Sequence, residues 1–432
     1  MPITEATILS LRSGRFPKIA AFYILLILSS SSLSGQNLLA DRHAPYNPEP
    51  KIPWREGHFP ADQRRSLGRF WDSLPDRGIT LGINGVLEGF HNFRGGKRTG
   101  TVTAALLDLT LNLDLEKLWN LKGGSIYFDL GYHQGRNPTD ALVGDLQVFD
   151  KNNAAPYFQM FEAWYQQQWG DLLRIKVGKV DANAEFSLIN NGLDFITSSA
   201  HVTPTLFVFP TFPDPEPSID LFFTPGRLFY ASFGVFDANR DDHFLDFSGS
   251  PGSVQPSSKG ELLITETGLT WKKLGVPGRD GNLRLGFWDH TGEFLTQDST
   301  LRHGTGGFYV VFNQTLWKPG TDPDEKRGLR CFLEWGQGEA GVVPVFQHLG
   351  GGLEWTGFVP GRPSDAIGLS IQHALLSPAP AQHDSFEMAT EGFYKFQITK
   401  TINLQPDLQY IRHPAGRYPD AVVGTLQVNF NF

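Results

Sequence analysis

The stretch Leu107-Asp108-Leu109-Thr110-Leu111-Asn112-Leu113-Asp114-Leu115-Glu116 alternates leucine with a polar residue at every position. A period of two places the leucines on one face of an extended strand and the carboxylates on the other. An amphipathic helix would instead need apolar residues at every third or fourth position. One apolar and one polar face fit a strand between lipid and water, so the stretch predicts a wall segment of a transmembrane β-barrel.

The same alternation recurs from Ile79 to the last residue, Phe432. It predicts an all-β fold, a transmembrane antiparallel β-barrel of sixteen strands, which is wide enough for an aqueous channel. The predicted strands cover residues 79–90, 104–116, 124–134, 158–169, 171–180, 217–224, 227–237, 261–272, 281–291, 306–317, 328–336, 346–358, 365–376, 386–397, 401–411 and 421–432.

The lengths of the predicted connections support this barrel. The long connections, 135–157, 181–216 and 238–260, all follow odd-numbered strands, whereas several even-numbered strands end in tight turns such as Gly170. Outer-membrane barrels have long external loops and short periplasmic turns. A soluble β-sandwich has no reason to follow this rule. We therefore expect the protein to be located in the outer membrane of a Gram-negative-type bacterium.

The N-terminal residues are predicted to lie outside the barrel. Residues 1–35 read as a signal peptide, with basic residues before an apolar run of about ten residues, which is shorter than the roughly 20 that a spanning helix needs. Residues 36–78 are predicted to form an N-terminal periplasmic segment with a short helix near 64–74. The barrel is predicted to occupy residues 79–432.

Composition narrows the class of function. The 34 Phe, 10 Trp and 47 Gly suit twisted strands with aromatic girdles. The single cysteine, Cys331, excludes an intramolecular disulfide, and the net charge of −8 argues against nucleic acid as a partner. No hydrolase, zinc or redox motif is present, so we predict neither an enzyme nor a cofactor or metal. The acidic tip 237–242 could hold Ca²⁺, but a solvated loop explains it as well.

The inward-facing polar residues are the candidate site. Carboxylates and guanidinium groups can hydrogen-bond sugar hydroxyls, while tryptophan can stack on a sugar ring, so mixed charges with inward tryptophans suit a neutral, hydroxylated solute that binds weakly. A basic cluster at Arg174, Lys176 and Lys179 keeps a general or anion-preferring diffusion porin open. The residues predicted to line the pore from the alternation are Asp108, Asp129, Glu162, Trp164, Arg174, Lys176, Arg284, Trp288, His290, Glu334, Glu354 and Gln409.

The last strand alternates up to its final residue, Phe432. A terminal phenylalanine on an alternating strand resembles the signal by which bacterial barrel-assembly machinery recognises its clients. We therefore predict that machinery and outer-membrane lipid as partners.

Four segments, in this order along the chain, resemble the carbohydrate-selective porins of the OprB family: GKVDAN at 178–183, GFWDHTG at 286–292, LGGGLEWTGFVPGRPSDAIG at 349–368 and LQPDLQYI at 404–411. The resemblance implies a monomeric sixteen-stranded barrel that passes mono- or oligosaccharides. It also implies that the third external loop folds inward, with Lys179, Asp181 and Asn183 as constriction residues.

Overall fold

A computed structural model of the chain describes residues 74–226, 228–238, 260–271, 280–296, 300–320, 325–379 and 381–432. The predicted signal peptide, the greater part of the segment 36–78 and most of the acidic tip 237–242 lie outside these residues. The described part opens with a 3₁₀ turn, Pro75–Arg77, which leads directly into the first strand.

The described strands form one closed antiparallel barrel, in which each strand pairs with its neighbours in the sequence and the first pairs with the last. This confirms the prediction of a sixteen-stranded barrel. The strands are β1 Ile79–Arg94, β2 Gly100–Asp114, β3 Gly124–Gly135, β4 Tyr157–Trp169, β5 Leu173–Val180, β6 Glu216–Phe223, β7 Phe229–Asp237, β8 Glu261–Thr270, β9 Gly281–Leu295, β10 Leu301–Trp317, β11 Gly328–Gln337, β12 Val345–Thr356, β13 Ala366–Leu376, β14 Phe386–Gln397, β15 Ile402–Arg412 and β16 Ala421–Asn431.

Helical structure in the described residues is confined to short connecting segments. None of these helices has the length and apolar character needed to cross a membrane. They are α1 Leu115–Trp119, α2 Ala182–Glu185, a π-helical turn Thr139–Val143 and 3₁₀ turns at Asn190–Gly192, Ser198–Ala200, Pro204–Leu206 and Pro414–Gly416.

The end of β2 differs from the prediction, which continued the strand to residue 116. The strand ends at Asp114, whose side chain accepts hydrogen bonds from the backbone N–H groups of Glu116 and Lys117. An N-terminal cap of this kind starts a helix, so Leu115 begins α1 although it continues the alternation.

The barrel closes between β1 and β16. The backbone N–H of Phe432 donates to the carbonyl of Ile83 at 2.8 Å, and Ile83 N–H donates back at 3.0 Å. Beside this contact, Gly85 pairs with Phe430. A Cβ at Gly85 would lie 2.1 Å from the Phe430 ring, so the ring lies across the glycine.

Exposure alternates along the strands as the period of two requires. On β2, Leu109 is exposed while its neighbours Asp108 and Thr110 are buried. Exposed aromatic residues lie at the ends of even-numbered strands, including Trp169, Trp317 and Trp355, which is typical of a membrane-interface girdle.

Two external loops fill much of the barrel interior. They are L2, residues 136–156 between β3 and β4, and L3, residues 181–215 between β5 and β6. Their side chains Phe149, Phe186, Ile189 and Phe195 are fully buried. The largest hydrophobic cluster therefore lies inside the barrel, where L3 packs against inward-facing wall residues such as Phe332.

Candidate solute pathway

Carboxylates on the barrel wall hold the backbone of L3. Glu391 on β14 accepts hydrogen bonds from the N–H groups of Ile196 and Thr197, at 2.5 and 3.0 Å. Glu266 on β8 accepts one from Ser187 N–H at 2.9 Å. Hydrogen bonds to a charged acceptor are among the stronger ones, so these contacts fix the course of L3 across the lumen.

Cationic wall residues on β9 and β14 also hold L3. Arg284 on β9 donates to the Leu188 carbonyl at 2.9 Å and to the Asn190 side chain. Lys395 on β14 forms an ion pair with Asp194. Although burial opposes its ionisation, the charge of Lys395 lowers the pKa of Asp194 below the usual value. Arg284, predicted to line the pore, therefore faces L3.

L2 is held by the same kind of contact on another part of the wall. Glu387 on β14 accepts hydrogen bonds from the N–H groups of Leu146 and Gln147, at 2.9 and 2.8 Å. Gln409 on β15, another predicted pore residue, donates to the Phe149 carbonyl at 2.8 Å. L2 and L3 thus share β14 as an anchoring strand.

Two cations of the basic cluster predicted on β5 share one carboxylate inside the barrel. Arg174 Nη2 lies 2.6 Å from the carboxylate of Glu185 in α2, and Lys176 pairs with the same carboxylate. Burial would raise the pKa of Glu185, yet the charges of Arg174 and Lys176 outweigh it and lower that pKa to about 2. Arg174 also lies over the Phe222 ring and Lys176 over Trp164, each at 3.9 Å.

Four predicted pore residues lie close together on β2, β3 and β4. Asp108, Asp129 and Glu162 are buried on the inward face. Tyr127 donates to Asp129 at 3.4 Å and stacks on the Trp164 ring with centroids 4.9 Å apart. Glu162 accepts a hydrogen bond from the N–H at position 181, so it also holds L3.

The predicted constriction residues lie where β5 enters L3. Lys179 is buried and donates to Gln159 at 3.3 Å. Asp181 caps α2 by accepting from the Asn183 N–H at 2.9 Å, and it also accepts from the Thr211 hydroxyl at 2.6 Å. Their contacts define the start of L3, and their role in constriction stays a prediction.

The other two predicted pore residues on β9, Trp288 and His290, are buried. Trp288 is 3% exposed and meets the Phe209 ring of L3 edge-on, with centroids 6.1 Å apart. His290 Nδ1 accepts from the Gly292 N–H at 3.0 Å. In this arrangement of L3, the face of Trp288 is not open to a solute.

A cavity of about 740 Å³ lies beneath the tip of L3, at the end of the barrel where the periplasmic turns are. Glu354 on β12, predicted to line the pore, contributes to it and lies 3.6 Å from Arg330. Both signs of charge face this cavity. The charged residues that line it are Asp194, Lys326, Arg330, Glu354, Arg362, Asp365, Lys395 and Lys400.

The remaining predicted residue, Glu334 on β11, lies on the inward face with 2% exposure. Four residues that hold the loops were not among the predicted pore residues, although each lies on the inward face of a strand: Glu266, Glu387, Glu391 and Lys395. The alternation could have found them. Among the described residues, no group of three His, Cys, Asp or Glu side chains is arranged to hold a metal ion.

A closed sixteen-stranded barrel with an apolar exterior, polar inward residues and inward-folded loops is the architecture of an outer-membrane porin. The profile of the carbohydrate-selective porin, OprB family, matches residues 98–432. The chain belongs to this family. It is therefore a channel of the Gram-negative outer membrane rather than an enzyme.

Individual relatives are distant. Porin B of Pseudomonas aeruginosa is 22% identical over 412 residues, which cover 83% of this chain and 88% of that protein. The high-pH structure of Pseudomonas putida OprB superposes with a TM-score of 0.71 at 19% identity, covering 83% of this chain and 96% of that chain. The low-pH structure of the same protein gives 0.55 at 18% identity, with 85% and 98% covered.

Proposed function

We propose that this porin passes mono- or oligosaccharides by passive diffusion and binds them weakly on the way. The observation that carries the proposal is the cavity beneath L3. Its volume falls in the range of about 300–1,000 Å³ that small-molecule sites occupy. Weak binding at such a site raises flux at low solute concentration, whereas tight binding would slow exit.

The charges around the cavity suit a neutral, hydroxylated solute. Five cationic side chains and three carboxylates line the cavity, so both signs are present, and Arg330 and Lys395 lie in the same cavity as Glu354 and Asp194. Carboxylates accept hydrogen bonds from hydroxyls and cationic groups donate to them. A net ionic solute would meet both attraction and repulsion there, whereas a sugar can satisfy both kinds of group.

The test is single-channel conductance in planar bilayers, with glucose and a maltose-type sugar titrated against the ion current. Saturable block by sugar at millimolar concentration is the expected result. A large current that sugar leaves unchanged at every concentration would reject the proposal and leave a general diffusion porin.

An anion-preferring porin is the second candidate, and the β5 cluster is the observation that bears on it. Because Arg174 and Lys176 are both paired with Glu185, they offer no open basic stripe. A strong chloride preference in the reversal potential would favour this candidate over the carbohydrate porin.

The same proposal includes the remaining predicted features: a cleaved signal peptide at 1–35, a periplasmic segment at 36–78, a monomeric barrel in lipid, and recognition of Phe432 by the assembly machinery. Phe432 is 44% exposed beside the closing strands, which leaves its ring accessible to a partner. Deleting Phe432 should lower the yield of folded barrel in outer membranes, and an unchanged yield would contradict that role.

A further inference from the structure

A polar cluster on the wall above the cavity is covered by L3 and makes no hydrogen bond in the described structure. Glu334, His348, Ser370 and Gln372 are each at most 2% exposed. No hydrogen bond reaches either carboxylate oxygen of Glu334, either ring nitrogen of His348, the hydroxyl of Ser370 or the amide of Gln372. The Nδ1 atom of His348 lies 3.7 Å from Glu334 Oε2, beyond hydrogen-bond distance. Each buried polar group without a hydrogen bond loses its interaction with water and gains nothing in return, which is unfavourable.

The register places these residues in successive rows across β11, β12 and β13. Glu334 pairs with Gly350, which pairs with Gln372, so three residues make one row. The next row towards the external end contains His348. In the next row towards the periplasm, Gly352 pairs with Ser370. The inward polar groups therefore form a continuous stripe along the wall.

Gly350 makes the centre of the stripe concave. A Cβ built there would lie 1.7 Å from Gln372 Oε1 and 2.8 Å from Glu334 Oε1, so both side chains lean over the glycine. One row below Ser370, Glu354 pairs with Gly368 and faces the cavity beneath L3. The stripe thus continues the cavity along the same three strands towards the external side.

The cover over this stripe comes from L3 residues 195–206. The 3₁₀ turns Ser198–Ala200 and Pro204–Leu206 contact β11, β12 and β13. Phe195 packs against Phe332, with ring centroids 5.7 Å apart. At the external end, a Cβ at Gly336 would lie 2.2 Å from the Thr203 hydroxyl. This side of L3 places the Phe195 ring and, at the external end, the hydroxyls of Thr203 and Thr205 against the wall, whereas Glu391 and Glu266 receive N–H groups.

We propose that Glu334, His348, Ser370 and Gln372 form a subsite for sugar hydroxyls, which opens when L3 residues 195–206 move away from β11–β13. The identity of the solute rests on the proposed function, whereas the movement of L3 away from β11–β13 does not depend on which solute passes. Carboxylate, amide, hydroxyl and imidazole groups together supply both donors and acceptors for a polyol. Separation of the cover from the wall lets water or solute satisfy groups that the closed arrangement leaves unpaired.

A disulfide tests the opening without any sugar. In a Cys331→Ser background, Thr203→Cys with Gly336→Cys should form a disulfide, because the close approach of Thr203 to Gly336 brings the two Cβ atoms within bonding reach. Oxidation should reduce the single-channel conductance several-fold, and dithiothreitol should restore it. Each single-cysteine variant, treated with the same oxidant, is the control. Failure to cross-link, or unchanged conductance after cross-linking is verified by mass spectrometry, would overturn the proposed opening.

Sugar block tests the subsite. Gln372→Leu should raise the half-blocking sugar concentration about tenfold, because hydrogen bonds to the solute are lost. Asn112→Leu removes an amide from the inward face of β2 and should leave the half-blocking concentration unchanged. If sugar blocks the wild type and Gln372→Leu equally, the subsite is wrong while the carbohydrate porin stands. If sugar does not block the wild type, the proposed function fails, and the disulfide experiment still decides the opening. Heat-modifiable migration on gels checks that each variant folds.

Discussion

Lys151 in L2 donates a hydrogen bond to the carbonyl oxygen of Phe195 in L3, with its Nζ atom 2.9 Å away. The same ammonium group donates to the Leu193 carbonyl at 2.9 Å. Burial lowers the pKa of Lys151, and the charge of Asp194 is the main factor opposing that shift. Phe195 in turn covers part of the β11–β13 wall, so one lysine couples L2 to the proposed cover.

Lys151→Met should loosen L2 and L3 together. It removes two hydrogen bonds from a charged donor, each of which contributes about 1.5–3 kcal/mol. We expect larger and noisier single-channel currents, and at least tenfold faster proteolysis within residues 136–156 and 181–215. Lys97→Met is the matched control, because Lys97 is partly exposed and lies 4.0 Å from Asp140. Equal currents and cleavage rates in wild type and Lys151→Met would contradict the coupling.

Glu185→Gln should shift the channel towards anions. The substitution removes the carboxylate that Arg174 and Lys176 share and leaves two buried cations without their ion-pair partner. The reversal potential in a KCl gradient should move towards the chloride potential by tens of millivolts, with intact barrels on gels. Asp171→Asn, which removes an exposed carboxylate at the turn before β5, should move it little. An unchanged potential in Glu185→Gln would mean that these cations do not face the ion path.

The lowered pKa of Glu185 predicts how the ion selectivity of the channel responds to acid. Because the pKa of Glu185 is lowered to about 2, its ionised form stabilises the fold above the ordinary carboxyl pKa. That stabilisation is lost as the pH falls from about 4.5 towards 2. Selectivity should therefore stay constant from pH 7 to 5 and change only under stronger acid. A change centred near pH 6 would rule out Glu185 as the titrating group.

Docking of L2 should depend on pH in the opposite sense. Burial raises the pKa of Asp150 well above its usual value, and the charge of Glu88 on β1 adds to the shift. Burial likewise raises the pKa of Asp145, with the charge of Glu387 adding to it. Groups with raised pKa values stabilise the docked loop fully at low pH and lose that contribution as the pH rises through the raised value.

Conductance should therefore increase as the pH rises, and Asp150→Asn should weaken that dependence. The asparagine cannot ionise, so one of the two titrating carboxyls is removed while the shape is kept. Asp140→Asn, at an exposed position in L2, is the control and should follow the wild-type curve. A pH profile of Asp150→Asn that superposes on the wild-type profile would contradict the assignment.

Gly85→Ala should destabilise the closing seam between β1 and β16. The added methyl group would lie 2.1 Å from carbons of the Phe430 ring and must displace it, which costs about 1–3 kcal/mol. The temperature at which the folded band disappears on gels should fall by several degrees. Gly89→Ala, on the same face of the same strand with no atom within 4 Å of the added carbon, should not change it. Equal effects of the two substitutions would show that the ring packing does not stabilise the seam.

The strand pattern could be predicted because lipid and lumen impose a period of two on every wall strand. Leu115 shows the limit of this approach, since the capping side chain of Asp114 ends the strand although the alternation continues. The course of L3 could not be predicted in the same way. Glu334 and Glu391 occupy equivalent inward positions in the sequence pattern, but only Glu391 receives N–H groups from L3. Which carboxylate meets the loop depends on how L3 packs in three dimensions.

The ion pairs of the β5 cluster could not be predicted from the sequence for a related reason. The alternation identified Arg174 and Lys176 as inward-facing but did not indicate that Glu185 would fold back against them. The short helix α2 produces that reversal, and its cap comes from Asp181, a residue singled out for a different role. The alternation identifies Arg174 and Lys176 as inward-facing residues. Their ion pairs with Glu185 depend on the turn between β5 and L3, which the alternation does not describe.

Glu391 and Glu266 hold L3 by accepting hydrogen bonds from its backbone N–H groups, which every residue except proline has. Mutations that exchange the side chains of residues 187, 196 and 197 can therefore preserve those contacts. The barrel can therefore hold L3 in the same position while the side chains of the loop change during evolution. Laboratory libraries that vary L3 side chains while keeping these two glutamates should yield folded channels with altered solute preferences.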